Sequence, residues 1–260
     1  MSLTGADITL FLEDAFWGGL LVFLRIGAIV GLLPAFGEQS VPMRVRLALV
    51  VAFSAVVAPA VSPMIGPVPQ NPGAIVGQCG AEVLAGLFFG LLLRLFVFAL
   101  QTAGSIAAQS TSLSQIFGGS AGIDPQPAMG HVLTIGALAL ISILDLHIYA
   151  AAYMIESYNL VPPGTPPSPA NVAEAGLAQI AHSFALAFSL AAPFVIAGLV
   201  YNITLGVINK AMPQLMVSFV GAPAATAGGL ILLFAAVPLI LPLWAKALFS
   251  FMASPFAALP

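Results

Sequence analysis

Six apolar stretches alternate with short polar or proline-rich breaks along the chain. The first runs roughly from Ile8 to Leu33, opens with Asp7, Glu13 and Asp14, and is punctuated at its end by Pro34, Gly37 and Pro42. The second covers Val45–Val61, just after Arg44 and Arg46. The segment SPMIGPVPQNPG (Ser62–Gly73) follows, and its four prolines exclude a helix and favour an extended path. The third stretch, Ala74–Gln109, is long enough to cross a bilayer with several turns left over. Its last part, QTAGSIAAQS, is rich in the small residues that let helices approach closely. After the central segment Ser110–Met129 comes the fourth stretch, roughly His131–Tyr158. The linker VPPGTPPSPA (Val161–Ala170) leads to the fifth, Asn171–Asn209. Asn171 is placed to cap that helix, with Glu174 three residues on, as in a capping box. The sixth stretch, Ala224–Met252, follows a break at Pro213–Pro223. No strand period competes, so the pattern predicts an all-α chain of six long hydrophobic helices in three hairpins. Pro193, Pro238 and Pro242 inside them predict kinks.

Composition turns this pattern into a membrane protein or a subunit buried in a hydrophobic assembly. Of 260 residues, 60% are hydrophobic and 6% charged, with a mean hydropathy of +1.10. A soluble domain carries about 25% charged residues, so this chain cannot cover its surface with charge. The net charge is −3, with no basic run and no aromatic–basic interleaving, which excludes nucleic acid as an expected partner. The single cysteine, Cys79, allows no intrachain disulfide and reads as a small packed residue. The acidic start, MSLTGADITLFLEDAFW, lacks the basic region of a cleavable signal peptide. If all six stretches cross, Arg44, Arg46 and Lys210 fall on one side, the cytoplasmic one by the positive-inside rule, while Lys246 opposes that orientation.

Charges at depth are the first candidates for chemistry. Arg25, Glu82, Arg94 and Asp145 lie in or near apolar stretches, where a charge costs about 2.5–3.5 kcal/mol on insertion scales. Arg94 and Asp145 are nearly equidistant in sequence from Gly119, so a hairpin of the third and fourth helices predicts that they pair. His131, His147 and His182 form no ligand set, and His147, two residues from Asp145, faces another side of a helix. No nucleophile elbow, phosphate loop or carboxylate dyad is present in the sequence. Neither catalysis nor a cofactor is therefore expected. The eight methionines read as packing, with Met212 and Met216 flanking Pro213.

The central segment, STSLSQIFGGSAGIDPQPAM, carries one formal charge, Asp124. It is too polar to face lipid, which places it inside protein or along a water-filled path. Leu113, Ile116 and Phe117 make a greasy tip, and Gly118-Gly119 a hinge behind it. The expectation is a loop that obstructs a conduit; the alternative is an ordinary buried connector.

Several motifs then accumulate in order: Gly37-Glu38, Val41-Pro42 with Arg44 and Arg46, Asp124-Pro125-Gln126, Asp145-Leu146-His147, Ser157-Tyr158 before Val161-Pro162, Asn209-Lys210-Ala211-Met212-Pro213-Gln214, and Gly221-Ala222-Pro223. With six apolar stretches at this length, the chain resembles the FliR family of flagellar and virulence type III export-gate subunits, over nearly its whole length. The closeness of the Pro-Gln and Asp-Leu-His blocks leans towards the flagellar members, while Leu215-Met216 stands where many members have Leu-Asn. The resemblance implies a structural subunit of a gated channel for unfolded flagellar proteins in the bacterial inner membrane, within the flagellar basal body. It implies FliP-like and FliQ-like neighbours, an FlhB-like switch subunit at the channel entrance, and contact with membrane lipid. It also implies a four-helix FliP-like part over residues 1–170, a FliQ-like hairpin over 171–260, and a plug formed by the loop 110–124. Two other classes compete. A small-solute secondary transporter could use Arg94, Asp145 and broken helices, but no repeated pair of broken helices is seen. A lipid-modifying enzyme lacks a base beside a nucleophile.

Overall fold

In the computed structural model, residues 5–112, 128–212 and 217–255 are described. They fold as seven α-helices: α1 (Gly5–Leu32), α2 (Met43–Val61), α3 (Pro72–Ser112), α4 (Ala128–Ile143), α5 (Leu146–Leu160), α6 (Pro169–Ala211) and α7 (Val217–Ala253), with a 3-10 turn at Ser62–Met64. No strand occurs among the described residues. Among the described residues five helices are long and apolar enough to cross a membrane, and six if α4 and α5, bent by 82° at their junction, count as one span. The chain is thus an all-α membrane protein.

Local chemistry sets the helix starts. Pro42 precedes α2 with its φ fixed at −56°, and its carbonyl accepts the N–H groups of Val45 and Arg46. Asn71 precedes α3, where its carbonyl accepts from Ala74 and Ile75 and its side chain accepts the Gly73 N–H at 2.9 Å. The sixth helix begins at Pro169, a residue that suits a first helical position because it has no N–H to satisfy. Its first bond runs from the Val172 N–H to the Ser168 carbonyl. Asn171 therefore lies inside the first turn and not before it, which corrects the expected cap.

The fourth apolar stretch breaks where no proline or glycine announces it. It ends as α4 at Ile143, and α5 starts at Leu146. Between them Asp145 adopts the left-handed conformation, φ 57° and ψ 38°. That conformation costs an ordinary residue about 1–2 kcal/mol, and Asp is among the side chains that tolerate it. The expected prolines 193, 238 and 242 all lie inside helices, as do Pro59 and Pro223.

The chain forms two compact units, one from Met1–Leu95, Ser142–Gln179 and Leu248–Pro260, the other from Phe96–Ile141 and Ile180–Ala247. In the first, Leu21, Ile26 and Ile29 of α1, Phe89 and Leu93 of α3, and Tyr153 and Met154 of α5 are fully buried or nearly so. The Tyr153 hydroxyl donates to the Phe89 carbonyl at 3.0 Å, and its ring meets that of Phe89 edge-on. In the second unit, Trp244 is fully buried and its indole N–H donates to the Phe96 carbonyl at 2.8 Å. There Gly104 of α3 faces Gly130 of α4 so closely that a Cβ on Gly104 would collide with the Gly130 backbone. Such contacts matter because lipid tails are as apolar as leucine, so helices in a membrane associate by close packing more than by water exclusion.

Candidate functional site

Two arginines of the first unit each hold an interhelical segment to a helix. Arg25 on α1 and Glu82 on α3 are both fully buried. The guanidinium meets the carboxylate as a fork, Nε donating to Oε2 at 2.7 Å and Nη2 to Oε1 at 3.1 Å. Its remaining face is also engaged: Nη1 donates to the Ser157 carbonyl at 3.0 Å and to the Val161 carbonyl at 2.8 Å. The Tyr158 ring lies under the cation, 3.9 Å from Cζ to ring centre. Glu82 Oε1 accepts a further bond, from the Gly164 N–H at 2.7 Å. Desolvating each charge costs several kcal/mol, which Coulomb attraction offsets only when the geometry is good and the remaining polar atoms are bonded. Both conditions hold here. Gly164 has φ +70°, a conformation that side chains rarely adopt. The knot thus ties α1, α3, the end of α5 and the proline-rich linker at one place.

At the turn between α1 and α2, Glu38 forms an ion pair with Arg94 of α3 through Nη1, with Nη2 to Oε2 at 3.3 Å. Arg46 donates to the backbone of the same turn, to the Glu38 carbonyl at 2.8 Å and the Val41 carbonyl at 3.4 Å. The turn also contains Ala35 in the left-handed region, φ 70°, and closes with the Gly37 N–H on the Leu33 carbonyl at 2.7 Å. The expected pair of Arg94 with Asp145 does not form. The break after Ile143 makes Asp145 an exposed corner residue, not a mid-helix charge, and Glu38 reaches Arg94 from the turn.

The other sequence candidates fall into three groups. Gly37, Glu38, Pro42 and Arg46 meet at the first turn, with Arg44 exposed beside them. His147 is exposed in the first turn of α5, and Asn209 is exposed near the end of α6. Leu113, Ile116, Phe117, Gly118, Gly119, Asp124 and Pro125, and also Pro213 and Gln214, lie outside the described residues. Ser157-Tyr158 and Val161-Pro162, singled out only as a motif, prove to be where the Arg25 knot closes. Gly221 of the last motif accepts the Tyr201 hydroxyl through its carbonyl. Sequence reasoning had Arg25 and Glu82 as costly charges but gave them no partner, and it gave Gly164 no role. The signal available was an Arg and a Glu deep in two different apolar runs.

Beside the knot, an open cleft of about 580 Å³ is lined by Phe88 and Phe89 of α3, by Pro162, Thr165 and Pro166 of the linker, and by Glu174 in the first turns of α6. One wall of this cleft is the linker that Arg25 and Glu82 hold.

The family model of "Bacterial export proteins, family 1" matches residues 16–251. The flagellar biosynthetic protein FliR of Caulobacter vibrioides is 35% identical over 226 residues, covering 86% of this chain and 90% of the relative. FliR of Bacillus subtilis is 29% identical over 246 residues (87% and 88%), and FliR of Escherichia coli 26% over 224 (84% of each). These likenesses agree with the flagellar reading of the motifs and run against a small-solute transporter. The chain belongs to family 1 of the bacterial export proteins, as a FliR-type membrane component of the flagellar type III export apparatus.

Proposed function

We propose that this chain forms, with FliP-like and FliQ-like subunits, the wall of a gated channel through which unfolded flagellar proteins leave the cell. Its place is the inner membrane within the flagellar basal body, with an FlhB-like subunit at the channel entrance. Residues 1–170 stand for a FliP-like subunit and 171–260 for a FliQ-like hairpin. The segment 110–124, whose first three residues end α3, closes the path, with Leu113, Ile116 and Phe117 as its tip on the Gly118-Gly119 hinge.

One observation carries the reading. The sixth helix is 43 residues long, and large apolar side chains stay exposed along it from Leu177 through Phe188 and Ile196 to Ile208. At 1.5 Å per residue that apolar face is about 47 Å long, against a hydrocarbon core of about 30 Å. Fitting it into lipid alone needs a tilt of about 50°, beyond the range of roughly 0–40° for membrane helices. Cover by other protein over part of this face, as a channel wall subunit has, suits that length better than lipid alone.

The test is co-expression of the tagged chain with its FliP-like and FliQ-like neighbours. The expected result is one detergent-stable complex, with the chain aggregating or degraded when made alone. A chain that purifies alone as a stable species and carries a small solute across liposomes would overturn the reading. Deleting Leu113–Gly119 should make the membrane leaky to small solutes; an unchanged leak with normal export counts against the plug.

A further inference from the structure

Beyond the Ser157 carbonyl of α5, the Arg25–Glu82 knot is attached to backbone that is not part of any helix. A buried ion pair serving stability alone has no need of that attachment, since an apolar pair of similar volume is often as stable. Here Arg25 holds the Val161 carbonyl and Glu82 holds the Gly164 N–H, at the start and middle of the linker. Between these points Pro162 and Pro163 have fixed φ angles. The turn is closed by the Thr165 hydroxyl, which donates to the Pro162 carbonyl at 2.6 Å. Beyond it, Pro166 and Pro167 lead straight into Pro169, the first residue of α6. A segment of this composition, tied at two points, behaves as a stiff spacer rather than a tether.

We propose that Arg25 and Glu82 lock the joint between α5 and α6, so that the linker and the first turns of α6 stay fixed to α1 and α3 while substrate passes. This rests on the reading of the chain as part of a channel wall. It assigns Arg25 and Glu82 a positioning role, and it places any gating motion away from this joint.

The lock is tested by bridging it. Gly164 packs against Gln78, with a Cβ at 164 lying 3.1 Å from the Gln78 side chain. In a Cys79→Ser background, Gln78→Cys and Ser168→Cys, the latter at an exposed linker position, are joined by a bifunctional maleimide in cells. Bridged cells should secrete flagellar protein at the rate of unbridged ones. Secretion stopped by the bridge, and not by either single cysteine with the same reagent, overturns the proposal. A second arm opens the lock without leaving a bare buried charge, using the Arg25→Met, Glu82→Met double variant. In the complex purified with its neighbours, protease should cut the linker roughly tenfold faster than in the unaltered complex, because cleavage follows the open population. Export should fall while the complex still assembles. Unchanged cleavage overturns the lock. The cleavage arm reads the joint whatever the complex transports, so the lock can fail with the channel reading intact, and the reverse.

Discussion

A charge out of water is stable only when each of its polar atoms is bonded, and removing one partner strands the other. For Arg25 and Glu82 this gives a sharp asymmetry. Arg25→Ala or Glu82→Ala alone should cost about 3–5 kcal/mol, whereas replacing both by methionine should cost less than either, since no charge is stranded and only the Val161 carbonyl and the Gly164 N–H lose their side-chain partners. Thermal unfolding of the purified complex, with the three variants side by side, checks it. Arg94 and Glu38 are half-buried, so Arg94→Ala should cost less, about 1.5–3 kcal/mol, as for a lost hydrogen bond to a charged group. Exchanging the two charges, Glu38→Arg with Arg94→Glu, should restore part of the export lost in either single variant. The exchange Arg94→Asp with Asp145→Arg should restore none. At this scale the sequence marked the right charges but not their partners. Arg25 lies 57 positions from Glu82, and Arg94 56 positions from Glu38. Pairing at that separation depends on helix register to within a turn, which uniformly apolar helices do not encode. Glu38 lay in a turn and carried no sign of reaching a helix.

Among the elements, long apolar runs bounded by proline were legible to within a few residues at most ends. The break at Asp145 was not, because SILDLH contains neither proline nor glycine. At the break a single residue, Asp145, takes the left-handed conformation. Asp145→Gly should therefore be neutral or slightly stabilising, and Asp145→Val should cost about 1–2 kcal/mol, since a β-branched side chain is poorly tolerated there. Complex stability against urea would distinguish them. The small-residue end of α3 was read as a close-contact surface, and Gly104 against Gly130 gives that reading a location. Gly104→Val should separate these helices and lower the amount of assembled complex several-fold, read on native gels, with Gly19→Val as the control because its Cβ would meet open space.

For the whole molecule, composition alone identified a membrane protein, and the order of the motifs identified its family. Which apolar faces meet lipid and which meet protein was beyond composition, because both are equally hydrophobic. The length of the exposed face on α6 distinguishes them, since its ends outrun the bilayer. Ile196→Lys, near the middle of that face, should weaken co-purification with the neighbouring subunits much more than Lys210→Ala near the end of the helix.

That length has a further bearing on how the cell handles the newly made chain. A polypeptide with more greasy surface than lipid can shelter is a ready target for membrane proteases and chaperones until its neighbours arrive. Its lifetime is then set by the supply of those neighbours, so surplus copies are cleared and the number of finished machines follows whichever companion is scarcest. Raising expression of this gene alone should leave the amount of mature protein almost unchanged in a pulse-chase experiment.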